Sequence, residues 1–372
     1  MQPSLLAGAA ELSETDWRRL ETGNDPFISR AFLAAAEETG AAGEALGWRP
    51  MHLALHASDG ELAGFAPLYL REHSFGDFSR DWNWPAAWHG AGLSYYPKLV
   101  SGVPYTPSPG PRLIGAKNEL IAAAIETAKA CGASSWQCLF VQDEDRAALE
   151  AAGLLIRRGV QFHWRNRGYR DFADFLDGFT ADKRKKLKRE RRAVSDAGLT
   201  VETRHGDEID GPLWKAIHRQ YRDTFVRYGN HPAFPLDFFR RAAAGLGRRM
   251  VVFVAFEGPR PVASAICYRD GRTLYGRHWG CDADFPGLHF ELSYYRGIQY
   301  AIEQGLERFE AGSGGEHKLA RGFEPTATWS AFWIADARMR EAVARYVAQE
   351  DAAMQDYEAE TAEHLPYKGE SP

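Results

Sequence analysis

The residues best suited to chemistry fall in one late loop, GSGGEHKLARG, at positions 312–322. Glu316 and His317 can accept or donate protons, and Lys318 and Arg321 can bind a phosphate or a carboxylate. Glycines on both sides of this set indicate a demanding backbone conformation. We therefore expect a site here, with a purely structural loop as the alternative.

The elements around this loop are predicted by the pattern of apolar residues. A strand is expected at Thr273–Trp279, followed by a turn rich in Gly, Asp and Pro at 280–287 and by a strand at Glu307–Ala311. Between the turn and the second strand, apolar residues recur at steps of three and four, which predicts an amphipathic helix that ends at Gly305. Ligands bind at such places, because the C-terminal end of a strand opens onto a helix N-terminus.

Other candidates lie on these elements. His289 and Glu291 begin the predicted helix and could accept a proton, although His289 could also cap or pack, and Glu291 could simply favour the helix dipole. Arg277 and His278 alternate along the strand, so we expect only one of them to face the pocket, and we favour Arg277.

Metal and nucleophile alternatives are disfavoured by spacing. His289, Glu291, Glu310 and His317 could form a metal site, but no HExxH or other paired spacing supports it. Ser313 lacks the GxSxG surroundings of a serine nucleophile. We therefore predict no metal.

An aromatic, proline-rich segment occupies residues 71–112. Its prolines predict irregular structure, and its aromatic content argues against disorder. We interpret it as one wall of a pocket with Lys98, Tyr105 and Arg112 as polar contacts to substrate. The alternative is a small satellite core beneath a loop.

A basic helix is predicted at residues 181–198. Residues 183–192 contain eight Lys or Arg and one Glu. A strip this dense suits a phosphate backbone, and a solvated helix face is the alternative. The predicted nucleic-acid contacts are Lys183, Arg184, Lys185, Lys186, Lys188 and Arg189.

Length and composition indicate a globular protein of two domains. The chain has 372 residues, 45% of them hydrophobic and 13% aromatic, with a net charge of −5. The four cysteines show no CxxC spacing, which favours reduced packing residues. No basic, apolar leader and no apolar run of transmembrane length is visible, so we expect a cytoplasmic protein without a membrane span.

Residues 12–39 are predicted to be helical in two pieces, broken at Gly23–Pro26, with Ser29 as the N-cap of the second piece. Strands at Met51–His56 and Glu61–Leu70 are predicted to be joined by an Asp59–Gly60 turn, and Pro67 in the second strand indicates an edge or a bulge.

The order of predicted elements, helices, a hairpin, then helix–strand–helix–strand, occurs twice. We predict an α/β (α+β) fold with two domains, each a mixed, mostly antiparallel sheet flanked by helices. The expected domains are 1–165 and 166–335, the second carrying the basic helix at 182–197. An acidic helical segment is expected at 336–372.

Several long stretches resemble one bacterial family. In the first half they are NDPFISRAFL, APLYLREHSFGDFSRDWNW and YYPKLVSGVPYTPSPGPRL. In the second half they are RKKLKRERR, GRHWG, LHFELSYYRGIQYAIEQGLERFEAG and GEHKLARGF. These stretches resemble the FemAB-like, or peptidoglycan biosynthesis/recognition, family of the GNAT N-acyltransferase superfamily.

The resemblance implies tandem GNAT-like domains and transfer of an acyl or aminoacyl group to an amine of a peptidoglycan-precursor-like or peptide acceptor. GNAT enzymes bind coenzyme A through a [QR]-x-x-G-x-[GA] loop. Here CDADFPGLHFE supplies only Gly287 and adds Asp282 and Asp284, which would repel a pyrophosphate. The basic helix instead favours an aminoacyl-tRNA donor.

We therefore expect no tightly bound cofactor and an acyl donor, aminoacyl-tRNA or acyl-CoA, as cosubstrate. The alternatives are a CoA-dependent GNAT N-acetyltransferase and a non-catalytic protein that recognises peptidoglycan or a peptide.

Overall fold

The protein is described by a computed structural model that covers residues 1–20 and 24–369. The strands, in chain order, are β1 (Gln2–Leu6), β2 (Arg49–Pro50), β3 (His52–His56), β4 (Leu62–Ala66), β5 (Tyr69–Arg71), β6 (Lys98–Ser101), β7 (Ile114–Gly115), β8 (Ser135–Val141), β9 (Leu155–Arg165), β10 (Leu199–His205), β11 (Met250–Glu257), β12 (Arg260–Arg269), β13 (Thr273–Cys281), β14 (Arg308–Glu310) and β15 (Glu324–Ile334).

The α-helices, in the same order, are α1 (Glu14–Arg19), α2 (Arg30–Glu38), α3 (Trp84–Gly90), α4 (Lys117–Ala130), α5 (Asp143–Ala151), α6 (Phe172–Asp177), α7 (Ala181–Asp196), α8 (Gly211–Arg227), α9 (Leu236–Leu246), α10 (Leu288–Phe290), α11 (Arg296–Glu303) and α12 (Ala337–Ala362). A π-helical stretch, Glu291–Tyr295, joins α10 to α11. We call these three stretches together the site helix and α7 the basic helix.

The chain divides into two compact units. The first comprises residues 1–159 and 327–356, and the second comprises residues 160–326 and 357–372. The division lies near residue 160, whereas the sequence predicted it at 165/166. The C-terminal region, predicted as a separate segment from residue 336, is shared by the two units because the chain returns to the first unit through β15 and α12.

The first unit contains two sheets. One has the order β1–β3–β4–β7 and is antiparallel, with β3 and β4 joined across the predicted turn at Gly60. In the other, β15, β8, β6, β5 and β2 are neighbours in that order, and only β6 and β8 are parallel. The strand predicted to continue through Pro67 is divided there between the two sheets, because proline cannot donate a ladder hydrogen bond.

The second unit is built on one sheet. Strands β10 to β13 form an antiparallel meander, β14 pairs parallel with β13, and β9 pairs antiparallel with β14. Its core contains large side chains from the sheet, α6 and the site helix, among them Trp164, Phe175, Phe253, Tyr295 and Phe309. Gly280 permits close packing of α8 on β13, because a side chain there would overlap the backbone of Gln220.

Local sequence signals explain some helix ends. The Ser29 hydroxyl caps α2 by accepting a hydrogen bond from the Phe32 N–H at 3.3 Å, as predicted. The preceding break, predicted at Gly23–Pro26, lies partly outside the described residues. The basic helix buries only Leu187 and Val194.

The prediction that residues 71–112 lack regular structure is wrong. The segment contains α3 and β6. Pro85 lies in the first turn of α3, where the missing N–H has no partner to lose, and Pro97 immediately precedes β6. Prolines therefore mark the ends of these elements and do not exclude them.

Candidate functional site

The candidate site lies in the second unit where β13 and β14 diverge. The two strands pair from Thr273 opposite Arg308 to Tyr275 opposite Glu310, and the pairing ends there. Beyond this point a cavity of about 110 Å³ lies between the strands and the site helix. It is lined by Ala265, Ile266, Cys267, Gly276, Arg277, His278, Trp279, His289, Ser293, Tyr294 and Ala311.

A β-bulge brings two basic side chains of β13 to this cavity. Ile266 lies opposite His278 while Cys267 lies opposite Gly276, so Arg277 is the additional residue of the bulge. Both Arg277 and His278 line the cavity. The prediction that only one of them could face it is wrong, because strict alternation fails at a bulge.

Burial sets the protonation of both groups. Burial lowers the pKa of Arg277 to about 10, so its guanidinium is still charged at neutral pH. Burial and the nearby Arg277 lower the pKa of His278 to about 3. The ring of Tyr221 lies 4.9 Å from that of His278. His278 is therefore a neutral, packed imidazole, and Arg277 provides the fixed positive charge in the cavity.

The site helix contributes the opposite wall. His289 and Ser293 line the cavity, with 3.4 Å between the His289 Nδ1 and Ser293 Oγ. Burial, followed by the nearby His317, lowers the pKa of His289 to about 4, which leaves the ring neutral. Ser293 lies in the π-helical stretch and His289 lies just before it. Such π-helical turns occur frequently at functional sites.

The loop predicted as the site lies beside this cavity. Tyr294 connects the two, since its hydroxyl lies 2.7 Å from His317 Nε2. Glu316 is exposed and accepts a 2.9 Å hydrogen bond from Tyr357, and neither Glu316 nor His317 is among the lining residues. Gly312, Gly314 and the adjacent Gly315 all have positive φ, a conformation that favours glycine and that the glycines of this loop predicted.

Lys318 has the most strongly shifted pKa in that loop. Its side chain is 2% exposed, and its Nζ donates a 2.6 Å hydrogen bond to the Gly312 carbonyl. Burial and then the charge of Arg277 lower the pKa of Lys318 to about 7. We expected a fixed cation that binds an anion, whereas this amine titrates near neutral pH and is therefore not a fixed charge.

Arg321 and Glu291 are held in internal ion pairs. An Arg321 nitrogen lies 3.0 Å from Glu190 of the basic helix, and its guanidinium lies 3.5 Å from the centre of the Phe290 ring. Glu291 accepts two hydrogen bonds from Arg191, at 2.9 and 3.0 Å. Arg321 was predicted to bind an anionic substrate and Glu291 to accept a proton. In the structure both side chains are instead engaged in ion pairs within the second unit.

Lys98 and Arg112, two of the predicted substrate contacts in the first unit, are buried and bind other groups of the protein. Lys98 is fully buried between Asp77 and Asp81, with Nζ–oxygen distances of 2.9 and 2.5 Å. Burial alone would raise the pKa of Asp81, but the Lys98 ammonium lowers it to about 2. Lys98 therefore neutralises a buried acidic pair.

Arg112 and Tyr105 have different settings. Arg112 is buried, and its guanidinium donates to the backbone carbonyls of Leu139, Pro111 and Ser108. It therefore joins the loop at residues 108–111 to β8 of the first unit. Tyr105 is half-buried beside Trp48, with ring centres 5.5 Å apart.

The basic helix presents a cationic face. Lys183, Lys185, Lys186, Lys188, Arg189 and Arg192 are exposed. Arg184 is partly covered and pairs with Asp177 at 3.3 Å. The side chains predicted to contact nucleic acid are therefore accessible, except that Arg184 already has a carboxylate partner.

Sequence reasoning did not identify Ser293, Tyr294, Gly276 or Trp279. Ser293 lies four residues after His289, on the same face of a helix, and this spacing is a signal that could have been used. Nothing in the local pattern indicates the π-helical stretch. Within residues 1–20 and 24–369, no group of three His, Cys, Asp or Glu side chains is arranged to hold a metal ion.

The two compact units, each with a mixed, mostly antiparallel sheet flanked by helices, confirm the predicted α/β (α+β) fold class. The chain belongs to the FemAB-like family, described as peptidoglycan biosynthesis/recognition, whose profile matches residues 8–369. The resemblance inferred from the sequence motifs is thereby confirmed. No curated protein matches the chain.

Solved structures share the fold at low identity. FemX is 14% identical, with a TM-score of 0.54 over 92% of this chain and 100% of that one. A C-terminal DUF2156 domain from Agrobacterium fabrum is 13% identical, with a TM-score of 0.53 over 92% and 96%. L-PGS from Bacillus licheniformis is 14% identical, with a TM-score of 0.51 over 88% and 99%.

None of the helices in the described part of the chain has the length and apolar character needed to cross a membrane.

Proposed function

We propose that the protein is an N-acyltransferase that transfers an aminoacyl group from aminoacyl-tRNA to an amine of a peptidoglycan-precursor-like or peptide acceptor. The observation that carries the proposal is the cavity at the divergence of β13 and β14, which combines one buried guanidinium with neutral basic groups. Family membership supports the acceptor class.

The reaction needs a balanced transfer of protons. A C–N bond forms between the amine and the acyl carbon, the ester C–O bond breaks, the amine loses a proton and the leaving hydroxyl gains one. A positive charge that is already in place can stabilise the oxyanion that develops between these steps. Arg277 lines the cavity and retains its charge at neutral pH, so we assign that role to it.

Lys318 is our candidate for moving the proton. With a pKa of about 7, its amine can accept a proton from the attacking amine and return it to the leaving oxygen at neutral pH. Lys318 is not itself a lining residue, but its Nζ contacts Gly312, the residue after the lining residue Ala311, and the charge of the lining residue Arg277 helps to lower its pKa. His289 is neutral and lines the cavity, so it orients the acceptor amine in this scheme.

The turn before the site helix favours one acyl donor over the other. Asp282 pairs with Arg219 at 2.7 Å. The Glu190 carbonyl oxygen lies 2.7 Å from where a Gly287 side chain would begin. The basic helix therefore packs close to the start of the site helix, which leaves little room for a pyrophosphate at that helix N-terminus. The exposed cationic face of the basic helix favours RNA instead.

The test is mass spectrometry of the products. The protein is incubated with a peptide that carries a free lysine amine, and with either charged tRNA or acyl-CoA. We expect the peptide to gain an aminoacyl mass only with charged tRNA, and the Arg277→Lys variant to lose most of the rate. Transfer from acyl-CoA alone would overturn the proposed donor, and no transfer from either would overturn the proposed activity.

A recognition role without turnover is the second candidate. It is favoured by three exposed aromatic side chains in the first unit, Phe75, Phe78 and Trp82, which are 58%, 39% and 66% exposed. The loop that carries them is anchored, since an Arg71 nitrogen donates a 2.5 Å hydrogen bond to the Phe75 carbonyl. Tight binding of a peptidoglycan fragment, lost in Trp82→Ala and with no product from either donor, would favour this candidate.

A further inference from the structure

A larger cavity of about 480 Å³ lies in the second unit between α6, the basic helix and the end of the site helix. It shares no lining residue with the cavity at the strand divergence. Phe172, Leu176 and Ile302 give it apolar walls, while Lys188 and Arg191 of the basic helix and Glu303 of the site helix contribute charge. A volume of this size can enclose a small, flat organic group.

We call this larger cavity the groove, and Arg191 is fixed in orientation within it. Its Nε and a terminal nitrogen bind Glu291, and a terminal nitrogen also donates to Gln299 at 2.9 Å. Its guanidinium carbon lies 4.4 Å from the centre of the Phe172 ring. Aromatic rings and guanidinium planes are surfaces on which proteins stack unpaired nucleobases. Here the two groups lie against each other, so a base would stack on the side of the pair that lines the groove.

Lys188 connects the groove to the cationic face of the basic helix. It lines the groove and is exposed, and Lys185, Arg189 and Arg192 lie on the same side of the helix. An anionic chain could therefore leave the groove at Lys188 and continue along this face. Glu303 and Asp171 are exposed and would repel a phosphate placed beside them, so the apolar part of the groove suits a base and the Lys188 side suits its phosphate.

We propose that this groove binds an unpaired nucleotide of an RNA, with the base against Phe172 and Arg191 and the phosphate at Lys188. The inference rests on the proposed function, in which RNA carries the acyl group, and it assigns a place to one nucleotide of that RNA. The groove is distinct from the cavity in which the acyl group reacts.

The test is binding of a fluorescent, single-stranded RNA octanucleotide, followed by anisotropy at several salt concentrations. Phe172→Leu keeps an apolar side chain but removes the aromatic face, and we expect it to weaken binding by about tenfold. Lys188→Gln should weaken binding and reduce the slope of log affinity against log salt by about one. Lys215→Gln, at an exposed lysine on α8, is the matched control and should change neither.

A base-paired RNA of the same length separates stacking from charge. We expect its binding to respond to Lys188→Gln but not to Phe172→Leu. If Phe172→Leu leaves single-strand binding intact while Lys185→Gln weakens it, RNA binds only along the helix face, and the groove assignment is overturned while the proposed function stands. If the octanucleotide binds in a Phe172-dependent way but charged tRNA yields no product, the groove stands and the proposed activity fails.

Discussion

Lys318 offers the sharpest test of the candidate site, because its burial makes a quantitative prediction for stability. The folded protein holds the pKa of Lys318 at about 7, against a value of 10.5 for an unperturbed lysine. The unfolded chain therefore binds this proton more tightly than the folded protein does. Since stability rises with pH wherever the unfolded state binds more protons, stability should rise as Lys318 loses its proton in the folded state.

The magnitude follows from the linkage relation. Between about pH 7 and pH 8.5 the folded protein loses nearly half a proton at Lys318 while the unfolded chain loses almost none, which corresponds to a gain of about 1.5 kcal/mol in the free energy of unfolding. The side chain is 2% exposed, so little discount for solvent screening is needed. Below the folded-state pKa, the full cost of burying the charge is present and the slope disappears.

The assay is urea unfolding across this pH range for the wild type and for Lys318→Met. The methionine keeps the length of the side chain and removes the amine, so the variant should lack the additional rise of about 1.5 kcal/mol. Cysteines and tyrosines contribute equally to both proteins and cancel in the difference. Lys215→Met, at an exposed lysine of α8, should retain the rise.

Activity gives a second measurement on the same variants. If Lys318 moves the proton, kcat/KM of the wild type should increase with pH through an apparent pKa near 7, and Lys318→Met should reduce the rate by about 10² to 10⁴. Parallel stability profiles in the wild type and Lys318→Met would refute the argument from burial. A variant with full activity would refute the proposed role in proton transfer.

Three further predictions concern packing. Glu190→Gln removes the carboxylate from a largely buried ion pair and should lower the free energy of unfolding by about 3 kcal/mol, whereas Glu202→Gln, in an exposed pair, should cost about 1 kcal/mol or less; urea midpoints that shift equally would contradict this. Lys98→Met removes the ion-pair partner of two buried carboxylates and should lower the free energy of unfolding by about 3–5 kcal/mol. An unchanged melting temperature would contradict this and would favour a role for Lys98 in binding a ligand. Gly287→Ala should lower the melting temperature more than Gly60→Ala, because both glycines have positive φ but only the first has a carbonyl oxygen 2.7 Å from the added carbon; equal shifts would mean that the close packing is not limiting.

Local features of the fold were accessible from the sequence. The three- and four-residue spacing of apolar side chains located the site helix, and Ser29 located the start of α2. The Asp59–Gly60 pair located the turn between β3 and β4. Each of these signals lies within a few residues of the structure it predicts, so periodicity and capping rules are sufficient.

The parts that were missed depend on contacts distant in sequence. Glu190 and Arg321 are 131 positions apart, and nothing near either residue indicates that they pair. Lys98 could be recognised as a rare lysine among aromatics, but not as the partner of two buried acids. The bulge at Arg277 changed which side chains reach the cavity, and a single inserted residue leaves no periodic trace in so short a strand.

The consecutive residues Glu190 and Arg191 impose an order on the basic helix. Glu190 meets Arg321 and Arg191 meets Glu291, so the acidic residue must precede the basic one at this point of the helix. A chimera that exchanged the two would set like charges against each other at both partners, with the overall composition unchanged. Grafting this helix from a relative into the present chain therefore requires matching these two positions first, however freely the surrounding lysines are varied.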